Sequence, residues 1–189
     1  MKQLLITGFE PFGGESINPS WEAVQRLPDE IGCWKLHKTR LPVVYGEACA
    51  AAQQAAKACS AHAVLCVGQA GGRTKVTPEM VAINLRYASI PDNAGSQPKD
   101  EPVAANAPAA YFSTLPVRNM AQAMGDKGAV SYTAGTFVCN DLLYGLLHNG
   151  LNAGFIHVPF LPEQAREGVP SMPLEDIVQC LTKAIQAME

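Results

Sequence analysis

Blocks of apolar positions recur along the chain at two different periods. Lys2 to Thr7 is a short apolar run that reads as a first strand, and Ala63 to Val67 is continuously apolar, as a strand buried on both faces should be. Lys35 to Val44 is a second strand candidate and Gly154 to Phe160 a late one, with Pro159 placed to end it. Between these runs the period becomes helical. Asn18-Pro19-Ser20 opens a helix through about Leu27, with a polar cap and an early proline. The Ala-rich Glu47 to Cys59, Val117 to Met124, and Leu142 to His148 are further helices, the last ended by Asn149-Gly150. Leu174, Ile177, Val178, Leu181 and Ile185 form the apolar stripe of a closing helix started by Ser171 and Pro173. Met80 to Tyr87 alternates as a strand does, whereas Pro91 to Pro108 is rich in Pro, Asn, Asp and Gly and reads as a loop. Strands alternating with helices predict an α/β fold with a mostly parallel sheet.

No linker, repeat or low-complexity segment interrupts the pattern, so residues 1–189 are expected to form a single α/β domain with a sizeable core. Charged residues are 16% of the chain and the formal net charge is -3, with Lys and Arg scattered. Such a surface offers no footprint for nucleic acid or an anionic membrane, and a small or neutral ligand is expected. The opening MKQLLITGFEPFGG has too short an apolar run for a signal-peptide core or a membrane span, which places the expected location in the cytoplasm. Six cysteines are irregularly spaced without a CxxC pair, and five of them read as reduced thiols serving as small apolar residues.

Cys139 differs from the other five in position. It stands in AGTFVCNDLLYG, just ahead of a helical pattern, where free backbone amides and the helix dipole favour a thiolate. A nucleophile of this kind needs a base. His157, near the end of the last strand run, ranks first among the four histidines because α/β folds collect functional groups at strand ends. His148 reads better as a charge complementing a helix C-terminus, and His37 and His62 have no suggestive context. The third group that would orient the imidazole is Glu79 or Asp92, and either carboxylate equally fits a solvated turn. Two glycine-rich turns follow strands, Gly8 to Gly14 and Gly68 to Gly72, and neither has the spacing of a dinucleotide or phosphate loop. The first carries Phe9 and Phe12, which are either core plugs or the walls of a pocket for a flat, uncharged ligand.

Taken in order, GFEPFGG followed by NPSWEAV, then GQAGGR, PEMVAIN with IPDNAG, GTFVCND and FIHVPFLPEQ make the chain resemble the pyroglutamyl peptidase I (pyrrolidone-carboxylate peptidase) family of cysteine peptidases. The resemblance implies a three-layer α/β/α sandwich with a mostly parallel, twisted central sheet, and assembly as a homotetramer. It implies Cys139 as nucleophile, His157 as general base and then acid, and Glu79 as the orienting carboxylate. It implies peptide substrates with an N-terminal pyroglutamyl residue, held by Phe9, Phe12, Phe137 and Val138, with Gln69 close by. No metal or cofactor enters that chemistry. Family members usually carry an arginine where this chain has Ser89, and the connection from Cys139 to His157 is trimmed around Asn149 to Ala153. Beside the exopeptidase stand three other readings: a cysteine amidase of different acyl specificity, a binding protein that keeps the pocket without turnover, and a nucleotide binder. The last lacks an acid roughly 20 residues beyond Gly68, where Ala88 and Ser89 stand.

Overall fold

The computed structural model describes residues 1–189. Four apolar runs become the long strands of one six-stranded sheet. These are β1 (Lys2–Phe9), β3 (Trp34–Leu41), β4 (Ala63–Gln69) and β8 (Ala153–Val158), with the two-residue β2 (Glu30–Ile31) and β5 (Thr77–Pro78) at the edges. Their order is β2-β3-β1-β4-β8-β5, and the four long strands are parallel while both edge strands are antiparallel to their neighbours. Short edges of this kind, one of them carrying Pro78, limit pairing with foreign strands.

Successive side chains on these strands point to opposite faces, and each face has its own core. Leu4, Ile6, Leu65, Val67, Ile156 and Val158 join residues of α1 (Pro19–Arg26), α3 (Val117–Ala123) and α5 (Leu174–Gln186). Leu5, Val64, Cys66, Ala153 and Phe155 pack instead against α2 (Glu47–Ala58) and α4 (Val138–His148). Helices on both faces of a mostly parallel sheet make the three-layer α/β/α sandwich. Gly150, in the left-handed region at φ 75°, terminates α4 and turns the chain through Leu151 and Asn152 straight into β8. No helix is long and apolar enough to cross a membrane.

Several boundaries differ from the sequence reading. Helix α4 begins at Val138, not Leu142, so Cys139 lies within the first turn instead of ahead of it. The β-branched and small residues preceding Leu142 carry no helical stripe, yet burial of Val138 and Asn140 fixes them in the helix. The alternating run Met80 to Tyr87 yields only β6 (Val81–Ile83), paired with an unexpected β7 (Ala110–Phe112). Asn84 ends that pairing because its side chain ties down the long loop, donating to Ala104 O and accepting from Ala104 N. Ser171 does not cap α5; it bridges to Phe160, and Pro173 takes the cap position.

Candidate active site

Strand ends and one helix start meet at a single point. Phe9 closes β1, Gln69 closes β4, and His157 is the penultimate residue of β8. Gly68 and His157 are register partners on adjacent strands, and Cys139 comes down onto Gly68 from the first turn of α4. A Cβ at Gly68 would lie 2.9 Å from Cys139 Sγ and 2.6 Å from Phe155 Cζ, distances no real side chain tolerates. The glycine is therefore what makes room for the thiol on the sheet beside His157.

His157 is 4% exposed, and its Nδ1 lies 2.7 Å from Glu79 Oε1. A carboxylate can only accept, so Nδ1 carries the proton and Nε2 is left free as an acceptor. Glu79 is fully buried directly after β5, where its backbone N–H donates to Phe155 O at 2.9 Å. Its Oε1 also accepts from Arg73 Nη1 at 2.7 Å, and the same guanidinium donates to Thr77 Oγ1 and, through Nη2, to Thr133 O at 3.2 Å. Glu79 Oε2 is buried without a partner. Asp92, the other carboxylate weighed from sequence, is elsewhere. It accepts from the backbone amides of Tyr45, Ala94 and Ser96, holding the long loop in shape.

Burial governs the ionisation of the pair. Desolvation pulls the His157 imidazole below its usual range; the Glu79 hydrogen bond and charge oppose this, and the Arg73 charge adds to it. The Cys139 thiol moves the other way. Burial first, then the Glu79 and Cys66 charges, push it well above the ordinary thiol value, and Arg73 and the cysteine's own backbone amide offset only part. This corrects the expectation of a lowered thiol pKa at the helix start: the helix end is there, but the exclusion of water outweighs it. Around the half-buried Cys139 and the buried His157, the enclosure thus favours the uncharged thiol and the uncharged imidazole.

Next to Cys139 is a small slot with about 10 Å³ of free space, lined by Phe9, Phe12, Asn18, Val43, Gln69, Phe137, Val138 and Cys139. That is room for about one water. The Phe12 and Phe137 rings stand 5.9 Å apart, and Tyr45 meets Phe137 edge-on at 5.5 Å. Separation of these rings would open the slot to a flat ring. Of the other histidines, His37 and His62 bond Gln3, and His148 meets the Tyr111 hydroxyl; none reaches the slot. Ser89 is exposed, and Arg86 does not take its place, because its Nε is engaged with Asp141 Oδ1 at 2.6 Å. No group of three or more His, Cys, Asp or Glu side chains is arranged to hold a metal.

The sequence profile of the family described as pyroglutamyl peptidase matches residues 2–189. The chain belongs to that family. It is 52% identical to the pyrrolidone-carboxylate peptidase of Escherichia fergusonii, with 98% of this chain and 92% of the relative covered. It is 51% identical to that of Levilactobacillus brevis, with 98% and 97% covered. Among solved structures, the pyroglutamyl peptidase I of Bacillus amyloliquefaciens superposes with a TM-score of 0.94 at 44% identity, covering 100% of this chain and 97% of that one. The pyrrolidone carboxyl peptidase of Thermococcus litoralis gives 0.93 at 36% identity, covering 100% and 93%.

Within this member of the family, the structure brings together all the sequence-selected residues: Cys139, His157 and Glu79 at the sheet end, and Phe9, Phe12, Gln69, Phe137 and Val138 around the slot. Sequence reasoning did not single out Arg73, Gly68, Asn18 or Val43. Arg73 and Gly68 both sit in GQAGGR, whose glycines signalled a turn and so drew attention from its polar end. Asn18 was read only as a helix cap. It is one, accepting from Ser20 N at 3.1 Å, but it also donates to Glu10 O and lines the slot.

Proposed function

We propose that the protein is a cysteine exopeptidase that hydrolyses the amide bond after an N-terminal pyroglutamyl residue. The observation that carries this reading is the placement of the Cys139 thiol on Gly68, beside the His157–Glu79 pair and at the mouth of an apolar slot. The lactam ring enters the slot between Phe12 and Phe137. A neutral, flat ring loses little by leaving water there, whereas an open-chain glutamate would lose the solvation of its charge.

With the neutral form of each group favoured, the Cys139 proton passes to His157 Nε2 as sulfur bonds to the pyroglutamyl carbonyl carbon. Glu79 stabilises the imidazolium so formed, and free amides of the first turn of α4 face the developing oxyanion. The C–N bond breaks as His157 returns the proton to the departing amine, leaving a thioester. His157 then takes a proton from water, the hydroxide adds to the thioester, and the sulfur leaves with the proton returned to it, releasing pyroglutamate.

All six cysteines are unpaired thiols, which supports a reducing compartment, the cytoplasm. Exposed Phe112 and Tyr132, 72% and 61% accessible, support self-association, read here as a homotetramer and checked by light scattering. The decisive experiment is release of a fluorescent amine from its pyroglutamyl, glutamyl and prolyl amides, with Cys139→Ala as control. Turnover confined to the pyroglutamyl amide and abolished by Cys139→Ala is expected. Failure on all three by the folded protein would replace catalysis with binding alone, and turnover of another amide would make the protein an amidase of different specificity.

A further inference from the structure

Beside the slot lies a wider groove of about 580 Å³, lined by Gly71, Tyr87, Ser89, Ile90, Thr136 and Phe137. Of the four cavities in the molecule it alone shares a wall with the slot, the Phe137 ring. The other side is continuous as well, since Gln69 lines the slot and Gly71, two residues on, lines the groove. With an acyl ring in the slot and its carbonyl at Cys139, the rest of a peptide leaves between these two walls.

The outer wall is fixed to the catalytic helix. Tyr87 N–H donates to Thr136 O at 3.1 Å, and Thr136 Oγ1 donates back to Tyr87 O at 2.8 Å, one residue before Phe137. Tyr87 and Ile90 are 44% and 42% exposed, two of the few large apolar side chains left open to water. Apolar surface kept exposed next to a reactive cysteine is surface a substrate can cover. No carboxylate lines the groove. At its rim the Lys99 ammonium lies 4.7 Å over the Tyr87 ring and donates to Ala88 O at 3.0 Å, so an incoming cation would meet like charge.

We propose that this groove is the subsite for the residue that follows pyroglutamate, and that it selects a large, uncharged apolar or aromatic side chain there. The assignment rests on the peptidase reading above. Covering part of Tyr87 and Ile90 favours phenylalanine over glycine by roughly tenfold in kcat/KM, the range expected for a half-open apolar site.

The test compares kcat/KM for pyroglutamyl-phenylalanine, pyroglutamyl-glycine and pyroglutamyl-lysine amides on the wild type, Ile90→Ser and Tyr87→Ala, with Cys139→Ala as control. The expected result is a phenylalanine-to-glycine ratio of about ten in the wild type, lysine below phenylalanine, and a ratio near two in either variant. Ile90 is exposed, so its replacement leaves the core intact, and the ratio cancels any change in the amount of folded enzyme. Equal rates for phenylalanine and glycine, or a ratio unchanged in both variants, would overturn the subsite while leaving the peptidase standing. Absence of Cys139-dependent cleavage of all three amides would instead remove the peptidase reading, and the subsite with it.

Discussion

Replacing Arg73 by Met should change the acid limb of the pH–rate profile rather than merely weaken the fold. Arg73 Nη1 lies 2.7 Å from the carboxylate oxygen that also holds His157, and Glu79 is fully buried while the Arg73 side chain is 27% exposed. Unit charges about 4 Å apart at an effective dielectric near 20 attract by about 4 kcal/mol, and exposure of the guanidinium brings this to about 2 kcal/mol. Loss of stability on removing the cation should be of that order, since Glu79 would then keep only the imidazole as a partner. The imidazole is one bond farther from the arginine, so its share is about 1 kcal/mol, a little under one pH unit at 1.36 kcal/mol each.

The sign follows from the charges. His157 titrates below its usual range, partly because Arg73 opposes a second positive charge. The neutral base of the wild type therefore survives into mildly acidic solution. Without Arg73 the pair takes up its proton at higher pH, so kcat/KM of Arg73→Met should fall about fivefold near pH 6 and recover above pH 8. Arg73→Lys keeps the charge and should restore most of the limb. The assay is kcat and KM for a fluorescent pyroglutamyl amide from pH 5 to 10, with circular dichroism to verify folding. An acid limb unmoved in Arg73→Met, with the loss confined to KM or to the folded fraction, would refute the reasoning.

Gly68→Ala should reduce kcat at least a hundredfold, because the new methyl displaces Cys139 Sγ and the Phe155 ring; the overpacking costs about 1–3 kcal/mol, read from urea unfolding. Alkylation of Cys139 by iodoacetamide should be slow near neutrality and accelerate above pH 9, the reverse of a thiolate-imidazolium pair, as labelled-peptide mapping against pH would show. Stability should also decline as pH rises from 9 towards 12. The buried Cys66 thiol is pushed up to about 12, so the folded chain retains a proton that the unfolded chain has released; thermal melts in that window should show the slope, and Cys66→Ala should make it shallower, the rest coming from Cys49 and Cys139, which are raised as well. Asp92→Ala removes the acceptor for three backbone amides and should lower stability by about 2–4 kcal/mol, with a rise in KM as Tyr45 ceases to brace Phe137.

The long parallel strands and the amphipathic α1, α2 and α5 were legible because their burial is periodic, and the two-face pattern of β4 and β8 follows from continuous apolarity. What stayed hidden depends on contacts distant in sequence. Strand β7 exists only because Val81–Ile83 is there to pair with it, and Ala110–Phe112 has no signature of its own. The choice between Glu79 and Asp92 could not be made from local context. It is made in space, by a chain that returns His157 to Glu79 across a separation of 78 positions. Arg73 was unreadable for the same reason, since a guanidinium after a glycine turn looks solvated until its three acceptors are in place.

Those contacts also explain why a cysteine at a helix start keeps its proton. The helix end stabilises a thiolate by about 1 kcal/mol in exposed settings, and enclosing the sulfur between α4, Gly68 and the aromatic slot removes more solvation than that. The same enclosure pulls the His157 imidazole below its usual range and so favours its neutral form. The ionised Glu79 carboxylate is balanced by Arg73, so the wall presented to the substrate is neutral. A neutral lactam therefore enters without displacing a charge from its counter-ion. In the mechanism proposed above, charge appears only when sulfur attacks, on the imidazole next to Glu79 and on the oxygen next to the α4 amides. Groups placed to answer charge at that moment, and idle before it, lower the barrier without tightening the ground state.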